Sequence, residues 1–108
     1  MPEEGFIQMY VRDFTAMATR MEAGADVEEQ VTRRVKELRA HAEIMDARKA
    51  PGHRLAVIDR LTHEGERIHV RQGRIGPEDN DQLERRRAFL MHVAEMLADD
   101  QDVHADAA

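Results

Sequence analysis

Few side chains in this chain could act as nucleophiles. The 108 residues include no Ser and no Cys. Covalent catalysis would therefore need a threonine or lysine (Thr15, Thr19, Thr32, Thr62, Lys36 or Lys49) beside a base that activates it, and none of these residues has an obvious partner base. The stretch GERIHVRQGRIG lacks the spacing and the lysine of a phosphate-binding loop. These absences predict a protein that is not an enzyme and uses no cofactor.

Histidines are the next residues that could do chemistry, and the chain has six of them. His92 and Glu95 lie three positions apart in a helical segment. Di-iron proteins use the opposite order, Glu-x-x-His, repeated on two helices with further glutamates. His92 also falls at the margin of an apolar stripe, where a partly buried structural histidine is expected. The sequence thus predicts no metal site.

The sharpest basic cluster is Arg85-Arg86-Arg87, and it could contact phosphates. Glu84 precedes it, and Asp79 and Asp81 lie about one turn back. An ordinary solvated helix face explains this mixture of charges more simply. A nucleic-acid-associated regulator that uses Arg85, Arg86 and Arg87 is therefore kept as the alternative hypothesis.

The net charge of −6 is unevenly distributed. Four of the 22 acidic residues lie in the last ten positions, so residues 1–98 hold 18 acids against 16 bases. The segment 99–108 is expected to be an acidic, disordered tail. The absence of Cys, of a signal-like N-terminus and of a long apolar run favours a cytoplasmic protein that does not bind membranes.

The first half of the chain is typical of two amphipathic helices. Apolar residues recur at helical spacing through residues 3–23, and Gly24 is a suitable helix stop. Asp26 is expected to cap a second helix whose apolar stripe extends to Met45, before Ala50-Pro51-Gly52. The short connection predicts an antiparallel helical hairpin over residues 1–50.

Residues 65–76 interrupt this helical pattern. Gly65, Gly73 and Gly76 fall within twelve positions, and each costs roughly 1 kcal/mol in a helix interior. Between the first two, polar and apolar residues alternate from Arg67 to Arg71. A Gln72-Gly73 turn would pair Val70 with Ile75 and keep both on the apolar face. The pattern therefore predicts a β-hairpin after a short helix at about residues 53–64.

Pro77 at a first helical position and acidic residues after it predict a last helix, whose wide apolar stripe includes Phe89 and Met96. The predicted fold class is mainly α (α+β), with the N-terminal helical hairpin followed by helix–β-hairpin–helix. The predicted units are residues 1–50, residues 51–98 packed on them, and the tail 99–108.

The order helix, Gly-x-x-Ile-x-Val-x-x-Gly-x-Ile (Gly65 to Ile75), helix resembles the TubC-type docking domains at the N-termini of some nonribosomal peptide and polyketide synthase subunits. The resemblance covers about residues 53–98. It implies a helix–hairpin–helix that binds a peptide or protein along the hairpin edge, and dimerisation. The outer face of that hairpin would present Arg67, His69, Arg71 and Arg74. This chain differs in having about fifty residues ahead of the motif and no synthase after it.

The leading hypothesis is a non-catalytic interaction protein, an adaptor or a small inhibitor or regulator. It would bind a protein or peptide through the hairpin edge and the helix stripes. Six methionines beyond the first residue lie mostly on these stripes, where they could fill the core or form an adaptable partner surface. Two helical hairpins could pair to cover the remaining apolar surface, which favours a homodimer.

Overall fold

The computed structural model describes residues 1–74 and 76–99, and these form four helices. The helices are α1 (Glu4–Glu22), α2 (Glu28–Arg48), α3 (His53–Gln72) and α4 (Pro77–Ala98). Each contributes an apolar face to one core. None of the helices in this part of the chain is long and apolar enough to cross a membrane.

The first two helices lie where the apolar periodicity predicts them. Helix α1 ends in a Schellman turn in which Gly24 has φ 99° and the Ala25 N–H donates to the Arg20 carbonyl over 3.0 Å. Helix α2 begins two residues after Asp26, whose Oδ1 accepts the Glu28 N–H. The two helices run antiparallel, as their contacts show: Tyr10 with His41, and Asp13 with Arg34.

The predicted β-hairpin is wrong. Residues 65–72 continue α3, residues 73–74 form a turn, and no strand occurs in residues 1–74 or 76–99. Ile75, which the hairpin would have paired with Val70, lies outside the described residues, as do residues 100–108 of the predicted acidic tail. The fold class is all-α instead of α+β, and the resemblance to docking domains loses the hairpin on which it depended.

Packing between α3 and α4 explains why the helix continues. These two helices make the most extensive contact in the structure, and Gly65 lies buried between them. A Cβ at Gly65 would stand 2.9 Å from Sδ of Met91. The missing side chain lets α4 approach, and the apolar area buried around Leu61 and Ile68 offsets the roughly 1 kcal/mol that glycine costs in a helix.

The C-terminal end of α4 is held by an arginine from α2. The Arg39 guanidinium donates to the carbonyl oxygens of Met96 (2.6 Å), Leu97 (3.3 Å) and Asp99. These carbonyls belong to the last turn, which has no further helical N–H groups to pair with. A cation at this negative end of the helix dipole is favourable. Arg39 thus fixes where the end of α4 lies against α2.

Candidate functional site

An open groove of about 320 Å³ lies where the end of α1, the start of α2 and the second half of α4 meet. Its walls are mainly apolar, and its rim is polar. The residues that line it are Met21, Ala25, Asp26, Val27, Glu28, Val31, Thr32, Phe89, His92 and Met96. Val27 and Val31 are buried at its base, whereas Met21, Phe89 and Met96 keep part of their surface exposed.

The turn between α1 and α2 opens this groove. The Schellman motif stops α1 at Glu22, so Met21 projects from the last turn of that helix. On α4, Leu90, Val93 and Leu97 face the core, and Phe89 and Met96 flank them. No further helix of the described chain covers these two side chains. Methionine is flexible and polarisable, so such a wall adapts to the shape of an apolar occupant.

The rim of the groove is acidic. Asp26 and Glu28 are both exposed there, and none of the lining residues is a Lys or Arg. The N-terminus of α2 offers a partial positive charge of roughly half a unit, but Asp26 and Glu28 together carry more than that in negative charge. An occupant that combines an apolar side chain with a cationic one fits this surface better than an anion does.

The sequence indicates some of the residues that form this wall, but not where in the fold they meet. The wide apolar stripe of α4 includes Phe89 and Met96, and the methionines indicated either core or partner surface. The structure buries Met17 and leaves Met21 and Met96 half-buried in the groove. His92 is exposed at the groove edge, so the expectation of a partly buried histidine is wrong.

A polar cluster around His53, separate from the groove, joins three segments of the chain. The imidazole is fully buried, its Nδ1 lies 2.8 Å from Oδ1 of Asp46, and its Nε2 accepts the Glu3 backbone N–H over 3.0 Å. Because Nε2 accepts, the proton is on Nδ1 and is donated to Asp46. Asp46 also accepts the backbone N–H of His53 at the start of α3. With both of its nitrogens engaged and no solvent access, the His53 imidazole is a structural tie and not a general base.

The pKa of the Asp46 carboxyl lies below its ordinary value of 3.8, chiefly because the His53 backbone N–H donates to it and secondarily because the His53 side chain does. A folded-state pKa below the unfolded one means that ionised Asp46 contributes stability above about pH 4, and that this contribution is lost as the pH falls through the folded-state pKa. We therefore expect Asp46→Asn to lower the urea midpoint clearly at pH 6 and much less at pH 3.

The control for this measurement is Asp59→Asn on the exposed face of α3, where the same exchange should change stability by less than about 0.5 kcal/mol at either pH. Equal losses for Asp46→Asn at pH 6 and pH 3 would show that the Asp46 charge adds nothing to the tie.

The residues predicted to line a hairpin edge lie instead on the end of α3. Arg67 forms an ion pair with Glu64 at 3.0 Å. Arg67 and Arg71 border a shallow depression of about 290 Å³ together with Val70, which is 59% exposed. Arg74 is exposed just beyond the helix, and His69 is exposed but two positions away from Arg67, on a different side. Arg71 and Arg74 are not cross-strand neighbours, because no hairpin exists to pair them.

The arginine cluster of α4 contacts acceptors of the same chain. Arg86 reaches Glu22 (Nε to Oε1, 3.4 Å) and donates to the Thr19 hydroxyl over 3.1 Å. Arg85 donates to the Glu22 carbonyl, and Arg87 pairs with Glu84. Arg86 and Glu22 are mostly buried, so this pair fastens α4 to the end of α1. These contacts give the cluster a structural role and weaken the argument for phosphate binding.

Among the side chains that the structure describes (residues 1–74, 76 and 80–99), no group of three or more His, Asp or Glu is placed to hold a metal ion. No protein-family model, no curated protein and no solved structure matches the chain. The groove between α1, α2 and α4 is therefore the candidate site on the strength of its own residues.

Proposed function

We propose that this protein is a non-catalytic protein–protein interaction module, and that its groove receives an apolar segment of a protein partner. The observation that supports this function is a groove walled by half-buried Met21, Phe89 and Met96 in a helical protein with an otherwise well-formed core. Partner surfaces are enriched in methionine and aromatic side chains of this kind.

The groove has the form of a helix-in-groove site. It lies between helices, its base is apolar and its rim is polar, which are features of surfaces that bind an amphipathic helix. The part of the partner that enters it would bury the exposed faces of Phe89 and Met96. Each apolar side chain that a partner buries fully there contributes about 1.5–3 kcal/mol before the entropy of association is subtracted.

Replacing Thr32 by arginine should strongly reduce partner capture. Thr32 is exposed on α2 and lines the groove, so the long side chain of Thr32→Arg occupies the space of the partner and leaves the core intact. We expect retention of the partner to fall by roughly tenfold or more. The measurement is capture of cellular proteins on the immobilised chain, after nuclease treatment and at high salt, quantified by mass spectrometry.

The matched control is Ala40→Arg, which adds the same charge at another exposed position of α2 that does not line the groove. It should retain the same proteins as the wild type. Undiminished capture by Thr32→Arg would refute the groove as the binding site. Recovery of nucleic acid that is released by salt, with no protein retained, would favour the alternative use of the arginines.

A further inference from the structure

The exposed face at the end of α3 carries a basic and apolar surface, here named the α3 stripe: Arg67, Val70, Arg71 and Arg74. Arg67, Val70 and Arg71 follow helical spacing and share one side of α3, and Arg74 continues that spacing just past the last turn. Val70 keeps 59% of its surface exposed although it is a large aliphatic residue. An exposed valine between arginines is a surface suited to an apolar, acidic counterpart.

The charges of the α3 stripe are only partly neutralised within the chain. Arg67 pairs with Glu64. Arg71 and Arg74 form no ion pair with any carboxylate in residues 1–74, 76 and 80–99, whose side chains the structure describes. The negative end of the α3 dipole lies near these arginines, but it offsets only a fraction of one positive charge. The stripe therefore presents net positive charge around Val70.

We propose that the groove binds the α3 stripe of a second copy of this chain, so that the partner class of the proposed function includes the protein itself. This inference rests on the proposed function, since it uses the same groove. The groove combines an apolar wall with the exposed carboxylates of Asp26 and Glu28, and no Lys or Arg is among its lining residues. Val70 of the stripe complements the apolar wall, and the arginines around it complement the carboxylates.

The contact has to form between copies. No residue of α3 lines the groove within one chain, and the stripe is exposed in the folded protein. Groove and stripe are different surfaces, and the proposed dimer relates the two copies by a two-fold axis. The contact is then made twice: groove of one copy with stripe of the other, and the reverse. Closure of this kind produces a dimer and not an open filament.

The test is sedimentation equilibrium of the full chain, with two variants that damage opposite halves of the contact. Val70→Asp removes the apolar residue of the stripe and introduces a negative charge there, and Thr32→Arg blocks the groove. Because Val70 and Thr32 are both exposed, neither change disturbs the core. We expect a concentration-dependent dimer for the wild type and a dimer dissociation constant raised roughly tenfold or more in each variant.

A mixture of the two variants is the decisive sample. The groove of Val70→Asp and the stripe of Thr32→Arg are both intact, so the mixture should form a heterodimer through one contact, more tightly than either variant pairs with itself. Leu55→Asp is the matched control, because Leu55 lies on the same helix with the same 59% exposure and outside the stripe. It should dimerise like the wild type. Salt should weaken all of these dimers, since exposed charges are screened over about 10 Å at 0.1 M.

Three outcomes overturn the proposal: a wild type that stays monomeric at concentrations of about 100 µM and above, a mixture that fails to pair, or a dimer that Leu55→Asp disrupts as strongly as Val70→Asp. The proposed function is judged separately. If the wild type is monomeric and Thr32→Arg still loses its cellular partner, the groove is a docking site for another protein and only self-pairing is wrong.

Discussion

Replacing His53 by Ala lowers the free energy of unfolding by about 3 kcal/mol. The imidazole is fully buried and connects Asp46 on α2 with the backbone before α1. Its removal leaves the Glu3 N–H without its acceptor and opens a cavity beside Phe6, whose ring packs edge-on against it at 5.1 Å. Unpaired polar groups and unfilled volume both destabilise. Urea denaturation followed by circular dichroism measures the loss.

The control is His63→Ala. His63 lies on the same helix but is exposed, so its loss should change stability by less than about 0.5 kcal/mol. If both variants unfold at the same urea concentration, the tie around His53 does not hold the start of α3 against α1 and α2. The expected difference between the two histidines therefore measures burial and hydrogen bonding, and not the loss of a histidine in general.

Gly65→Val destabilises the protein by about 2–3 kcal/mol. Its Cβ would stand 2.9 Å from Sδ of Met91, and the two additional methyl groups would force α4 away from α3 at their closest approach. In a β-hairpin the same substitution would be favourable, because valine is a strong strand former. The sign of the change in unfolding free energy thus distinguishes the helix from the hairpin that the sequence pattern predicts.

Two smaller substitutions separate crowding from helix propensity. Gly5→Ala, in the first turn of α1, meets nothing within 4 Å and should gain up to about 1 kcal/mol. Gly65→Ala gains the same propensity but requires Met91 to move, so it should be less favourable than Gly5→Ala. If Gly65→Val proved as stable as the wild type, Gly65 would not be the point of close contact between α3 and α4.

The wrong prediction of a hairpin within α3 has a specific physical cause. Alternation from Arg67 to Arg71 is short, and over five residues it cannot be distinguished from a helix in which only every third or fourth position is buried. In the structure the buried positions are Leu61, Gly65 and Ile68, spaced by four and three, while Val70 is exposed. Glycine there is not a helix stop, because a neighbouring helix occupies the space of its side chain.

The types of residue that form the candidate site are evident from the sequence, but their position in the fold is not. Methionines on wide apolar stripes indicate either core filling or an adaptable surface, and residue type and spacing are enough to see them. The arginines predicted to form a docking edge are on the surface. Of the arginines predicted to contact nucleic acid, Arg85 and Arg86 are engaged by the end of α1. Such contacts join positions more than sixty residues apart, and no local sequence pattern predicts them.

The helices of the first half and the residues available for chemistry can be predicted from the chain alone, because helical periodicity and residue type are local properties. The absence of Ser and Cys, the turn at Gly24 and the apolar faces of α1 and α2 are all evident in the chain. The continuation of α3 through Gly65, and the groove in which Met21, Phe89 and Met96 meet, are seen only in the folded protein. Both depend on where α4 packs, and packing is a property of the whole core.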